Sequence, residues 1–299
     1  MHISSLFKDA RYFQIIFQSL FLSYGLFYLH WNAEWWLYGT YFGFSIATQL
    51  VCELIFDKHK VRRLSAQWWA KFQAGLPSAI ISSFGLTLLL KTNHFYVAAF
   101  AAMVSILSKY IIRINGKHIF NPSALGIIAA VYLTGNAWIS PGQWGSNAVI
   151  LFAVLCLGFI VTTRVQKLDV SIAFLVVFGG LLFYRQILFL GWPMDFFIQS
   201  ISTGSLLLFS FFMITDPKTT PNHKTARIIW CMAIAIVSYY LATFKFMNGA
   251  PILVLVMAQL IVPLLDILFK AKKFEWRPNN IFQPAETKFL QTIYSKSSI

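Results

Sequence analysis

Between residues 11 and 270 the chain runs through ten apolar stretches separated by short polar links, at about 11–31, 35–56, 74–91, 94–113, 121–135, 147–164, 168–190, 194–214, 227–245 and 250–270. A helix needs about 20 apolar residues to cross a bilayer, and most of these stretches have them. In hydrocarbon every backbone N–H and C=O must be satisfied internally, which leaves helices or a closed barrel. The alternating pattern of a membrane barrel is absent. Charged residues make up 11% of the chain, against about 25% in soluble domains. The expectation is an all-α polytopic membrane protein with about ten transmembrane helices. The third and fifth stretches are short, and short or broken helices point to binding sites in transporters.

The basic residues give these stretches a direction. With the N-terminus in the cytoplasm, all but Lys91, Arg185 and Lys245 of the 24 basic residues fall on the cytoplasmic side. That bias predicts both termini inside and an even number of crossings. The N-terminal run after Lys8 and Arg11 resembles a signal peptide, but it lacks a small-x-small cleavage site and reads as a retained first helix. The net charge of +14 is spread between apolar runs rather than gathered on a soluble face, so nucleic acid is not an expected partner. Cys52, Cys156 and Cys231 lie apart inside apolar runs and read as small buried hydrophobes, with no metal site among them. Segment 57–72, DKHKVRRLSAQWWAKF, is expected to lie along the inner leaflet, in contact with membrane lipids. One membrane domain is expected over 1–270, followed by a cytoplasmic tail, 271–299.

An odd number of helices per repeat would turn a second copy upside down in the membrane. HIFNPSALGIIAAVYL and KFMNGAPILVLVMAQL each carry an aromatic, then Asn and Pro, then an apolar helix. This pairing predicts an inverted 5+5 repeat with halves of about 1–140 and 141–270. Asn121 and Asn248 would then lie on opposite membrane faces.

Two polar breaks stand out. Pro122 biases Asn121 away from helical geometry and suits a first helical turn, so FNPSALG reads as a cap and a new helix. TDPKTTP at 215–221 has the same character. Lys109, Arg113 and Lys117, four residues apart, are expected to form one basic stripe, with Asp216, Glu53 and Asp266 as candidates to neutralise it. Such residues serve either a structural role near the interface or a site. On the other face, NAWISPGQWGSN carries no charge. Trp138 and Trp144 there fit an interfacial belt or a lid over a flat aromatic ligand.

KYIIRINGKHIFNPSALG, SLLLFSFFMITDPKTTP and NGAPILVLVMAQLIVPLLD together resemble the NqrB/RnfD family over roughly residues 75–270. These are membrane subunits of the sodium-pumping NADH:quinone reductase and of the Rnf electron-transport complex. The resemblance implies a ten-helix, urea-transporter-like fold built on an inverted repeat, in a bacterial cytoplasmic (inner) membrane with other subunits as partners. It also implies FMN esterified to a threonine of an S/T-G-A-T motif. The nearest strings here, STGS at 202–205 and YLTGNA at 132–137, lack Gly-Ala-Thr. Covalent FMN is therefore not expected, and the chain looks like the stand-alone, non-flavinylated branch.

The expected function is a membrane subunit of an electron-transport system that holds FMN or riboflavin non-covalently or docks a redox partner. The cofactor-binding candidates are Asn121, Asn248, Lys117, Arg113, Asp216 and Trp144. The alternatives are a small-solute transporter or channel, with Ser82, Ser83, Ser202 and Thr203 lining its path, and a membrane assembly subunit. No Ser-His-Asp spacing, metal quartet, paired carboxylates or phosphate loop is visible.

Overall fold

A computed structural model describes residues 9–32, 34–56, 66–114, 116–141, 159, 162–163 and 166–272. Helix α1 (Ala10–Phe27) starts on Asp9, whose carboxylate accepts from the Arg11 amide at 3.0 Å. It is followed by α2 (Trp35–Ile55) and α3 (Ala66–Leu89). A short strand, β1 (Leu90–Thr92), leads into α4 (Phe95–Ile111). The strands β2 (Arg113–Ile114) and β3 (Lys117–His118) form a hairpin before α5 (Pro122–Ala129). The wider π-helical turn Ala130–Thr134 extends α5. Gly135, at φ 66°, ends it in the left-handed conformation glycine tolerates best. Strand β4 (Ala137–Ile139) then pairs antiparallel with β1.

The remaining helices are α6 (Leu168–Phe183), with a π-helical end at Tyr184–Phe189, and α7 (Met194–Ile201). Next comes α8 (Gly204–Leu208), with a π-helical end at Phe209–Met213. The chain closes with α9 (Lys224–Phe244), α10 (Ala250–Gln259) and α11 (Val262–Leu268). The α7–α8 and α10–α11 pairs are each bent by 48° at a short break. Among the described residues, three helices are long and apolar enough to cross a membrane alone, and up to five crossings result if each bent pair counts as one.

The outer faces suit lipid. On α6, Ile172, Val176, Tyr184 and Leu188 are exposed, and on α9 so are Ile229, Ile236, Val237 and Tyr240. A contiguous apolar surface of this kind marks a membrane-facing protein. The interior is built on small residues. Ala98, Ala101, Ala102 and Ser105 of α4 are fully buried, and α4 packs against α5. A Cβ placed on Gly126 of α5 would lie 2.6 Å from the Ala101 carbonyl oxygen. In lipid, such close approach supplies the dispersion contacts that hold helices together.

Helices α5 and α10 pack on one another and run antiparallel. The Asn121 amide, at the start of α5, donates to Gln259 Oε1, at the end of α10, at 3.0 Å. Ile139, beyond the end of α5, lies against Gly249, at the start of α10. The Trp230 indole N–H, donating to the Ala258 carbonyl at 2.9 Å, ties α9 to this pair.

Three expectations change. The third helix is not short: it starts at Ala66 and has 24 residues. Its first turns include the Trp68–Trp69 pair, so this part of the 57–72 segment is the start of a candidate membrane span rather than a separate surface segment. Trp68 is buried and stacks on Phe72 with ring centroids 5.8 Å apart. The basic stripe does not exist either, because α4 stops at Ile111 and Arg113 and Lys117 lie on facing strands of the hairpin. Gly116, at φ 82°, makes that turn possible. The predicted helix 147–164 lies outside the described residues apart from 159, 162 and 163.

Candidate functional site

The two polar motifs meet. A cavity of about 90 Å³ is lined by His118, Asn121, Pro122 and Ser123 from one motif and by Met213, Thr215, Asp216, Pro217 and Lys218 from the other. Arg11, Gln14 and Gln18 of α1 and Ser78 and Ser82 of α3 complete the wall. Asn121 shapes it. Its Oδ1 caps α5 by accepting from the Ala124 amide at 3.1 Å and the Ser123 hydroxyl at 2.9 Å. Its Nδ2 donates to the Met213 carbonyl at 3.2 Å, joining α5 to the end of the α8 π turn. Gln18 is buried on α1, and its Oε1 has no partner among the described residues.

Asp216 receives the Lys218 amide at 3.0 Å and faces His118 Nε2 at 3.7 Å. Burial lowers the His118 pKa against the pull of Asp216, and the nearby Lys218 and Lys109 charges add to the lowering. Burial alone would raise the Asp216 carboxyl, but its contacts with His118 and Lys218 outweigh that and hold it below its ordinary value. Lys109, expected to form part of the stripe, instead donates to Gln49 Oε1 at 3.1 Å and Ser78 Oγ at 3.3 Å. The Tyr110 hydroxyl beside it donates to Glu53 at 2.7 Å.

Lys117 lies next door, in a groove shared with α11. It bonds Asp266 at 2.9 Å, Asn222 Oδ1 at 3.2 Å and the Thr220 carbonyl at 3.3 Å. Arg113 is exposed on the hairpin and donates to the Gly116 carbonyl. Asn248 is exposed in the turn before Gly249, at the opposite end of the α5–α10 pair. Trp144 is outside the described residues. Of the six candidates, Asn121 and Asp216 share one cavity, Lys117 borders it, and Arg113 and Asn248 are elsewhere. His118, Lys218, Gln18 and Ser123 were not among the candidates. The signals available were their adjacency to the two motifs and, for Gln18, its spacing of four from Gln14, which puts two amides on one face of an apolar run.

A third cavity, of about 170 Å³, lies at the opposite end against Ile139, Thr203, Ser205, Gly249 and Pro251. It sits at the α7–α8 break and the start of α10, as the first cavity sits at the start of α5. The polar groups of Asn121 are already committed within the fold.

Broken helices, a lipid-facing exterior and small polar cavities at the breaks define a multi-pass helical membrane protein. Residues 132–275, just under half of the chain, match the family described as NQR2, RnfD, RnfE, to which the chain is similar over that stretch. The match contains TDPKTTP and NGAP but not FNPSALG. No curated protein matches the chain.

Proposed function

We propose that this chain is a membrane subunit of an electron-transport complex similar to Rnf and the sodium-pumping NADH:quinone reductase, and that it docks redox partners rather than carrying flavin in the three cavities described above. The family match over 132–275 carries this reading. The basic end of the molecule supports it, since Lys218 lines the cavity where the two motifs meet, Lys270 lines the groove beside it, and Lys224, Lys270 and Lys272 are exposed. In this reading that end faces the cytoplasm of a bacterium, both termini are inside, and ten crossings form two inverted halves. The antiparallel α5–α10 pair, each helix starting at a turn followed by proline, is in keeping with the inversion. A non-covalently held flavin is the other form of this reading.

The test is purification of the full chain from native membranes in mild detergent, with co-purifying subunits identified and the absorption spectrum recorded. Redox-protein subunits in fixed ratio, with no flavin band from the isolated chain, are expected. A flavin band from the isolated chain overturns the docking form. A chain that purifies alone overturns the subunit reading.

One observation favours a second reading. Cavities at both ends, each at a helix interruption, are what a solute path closed at its middle would present. Solute flux in proteoliposomes containing the chain alone would support this transporter reading, and sealed liposomes would remove it.

A further inference from the structure

Beside the polar cavity lies a groove of about 150 Å³ between the β2–β3 hairpin and α11. Ile114, Ile119, Val262 and Ile267 make its walls apolar, and Lys218 and Lys270 border it. Its acid is Asp266, and both carboxylate oxygens are in use. Oδ2 accepts from Lys117 at 2.9 Å and Oδ1 from the Asn222 amide at 2.8 Å. Asp216, the next acid, faces His118. The ammonium groups of Lys218 and Lys270 thus have no hydrogen-bonded acid among the described residues. Lys218 is partly buried in this state. Burial lowers its pKa against the pull of Asp216, and the Arg11 and Arg113 charges lower it further.

The surroundings decide what kind of anion fits. Ile114 and Ile267 are exposed, as are Leu264 and Leu268 on the same short helix. Helix α11 turns 48° away from α10, and its apolar surface ends at Lys270. Ammonium groups without a hydrogen-bonded acid, next to exposed aliphatic side chains at the polar end of a membrane helix, complement a molecule that is anionic at one end and aliphatic at the other. A free anion would make no use of the isoleucines.

We propose that this groove binds an anionic phospholipid, with its phosphate between Lys218 and Lys270 and the start of an acyl chain along Ile114 and Ile267. The site is independent of whether the chain serves electron transport. Near an anionic surface each lysine contributes about a fivefold change in affinity.

The experiment is native mass spectrometry of the full chain in detergent, offered phosphatidylglycerol or phosphatidylcholine with the same acyl chains. Wild type retains phosphatidylglycerol about 25-fold better. Lys218→Gln and Lys270→Gln each cost about fivefold, and the double variant brings the two lipids level. Lys272→Gln, outside the groove, changes retention less than about twofold, which separates a site from diffuse charge. Excess inorganic phosphate leaves the lipid bound. Lys270 is exposed, so its variant keeps the fold and tests the groove without relying on Lys218. Equal retention of both lipids by wild type overturns the proposal. So does a Lys272 effect as large as that of Lys270, or displacement of the lipid by phosphate. Truncation after Lys272 that raises retention severalfold would mean the C-terminal segment fills the groove, and would also overturn it.

Discussion

Replacing Asn121 by alanine tests whether the break before α5 is held by one side chain. Asn121 is 5% exposed and bonds in two directions. Losing the cap to the Ala124 amide costs about 1 kcal/mol. The Met213 carbonyl keeps only a long bond, 3.4 Å, from the Asp216 amide, and losing the Asn121 bond costs a further ~0.5–1.5 kcal/mol. The sum, about 1.5–2.5 kcal/mol, corresponds to a melting shift of about 2–4 °C for a chain of 299 residues. Asn121→Ser divides the two effects. Serine keeps a capping oxygen but is too short to reach Met213, so it recovers about 1 kcal/mol of the alanine loss. The assay is thermal unfolding of the detergent-solubilised full chain, followed by tryptophan fluorescence. An alanine variant that melts within ~1 °C of wild type would refute the reasoning. Equal melting of the serine and alanine variants would show that the cap contributes nothing.

Gly126→Ala puts a methyl 2.6 Å from the Ala101 carbonyl, so α4 and α5 must separate; a loss of about 1–3 kcal/mol is expected in the same assay. Stability should also fall with acid. His118 is held below its ordinary pKa, so the unfolded chain protonates first, and stability present above about pH 6.5 is lost as pH drops through the lower folded value. Asp216 acts in the same sense further down, with its contribution present above its ordinary value of 3.8 and lost below it. Melting temperature measured from about pH 7.5 to 5.5 should decline, and His118→Gln should flatten that decline.

How far the sequence is legible depends on which physical signal each feature leaves. Apolar length locates helices well, because hydrocarbon thickness imposes it; α4, α5 with its π-helical extension, and α9 fall within three residues of their expected bounds. Asn121 as a cap was readable from Asn-Pro. The hairpin at 113–118 is also legible, since Asn115-Gly116 is a strong turn signal, but the four-residue spacing of Lys109, Arg113 and Lys117 mimics a helical stripe across the same residues. The π-helical ends at 130–134, 184–189 and 209–213 leave no comparable signal, because they depend on what packs against each helix rather than on local preference. Tertiary pairing was the least legible. Nothing local says that Lys117 reaches Asp266, 149 residues away, or that Gln18 of the first helix faces the two motifs.

The convergence at Asn121 has a structural cause that comes before any function. Three interrupted ends meet there: the start of α5, the end of the α8 π turn and the end of α10. An unpaired backbone group in hydrocarbon costs several kcal/mol, so each interruption persists only if another element satisfies it. Asn121 serves two of them, bonding Met213 through its side chain and Gln259 through its amide. Its polar atoms are consumed by the fold, and a ligand would have to break those bonds to use them. The groups with capacity left are different ones. Gln18 Oε1 and Gln259 Nε2 are buried with no partner among the described residues, and the Lys218 ammonium group stands between the cavity and the groove. Substituting Asn121 therefore reports on stability, while ligand or ion recognition at this end of the molecule is to be sought at Gln18 and Lys218.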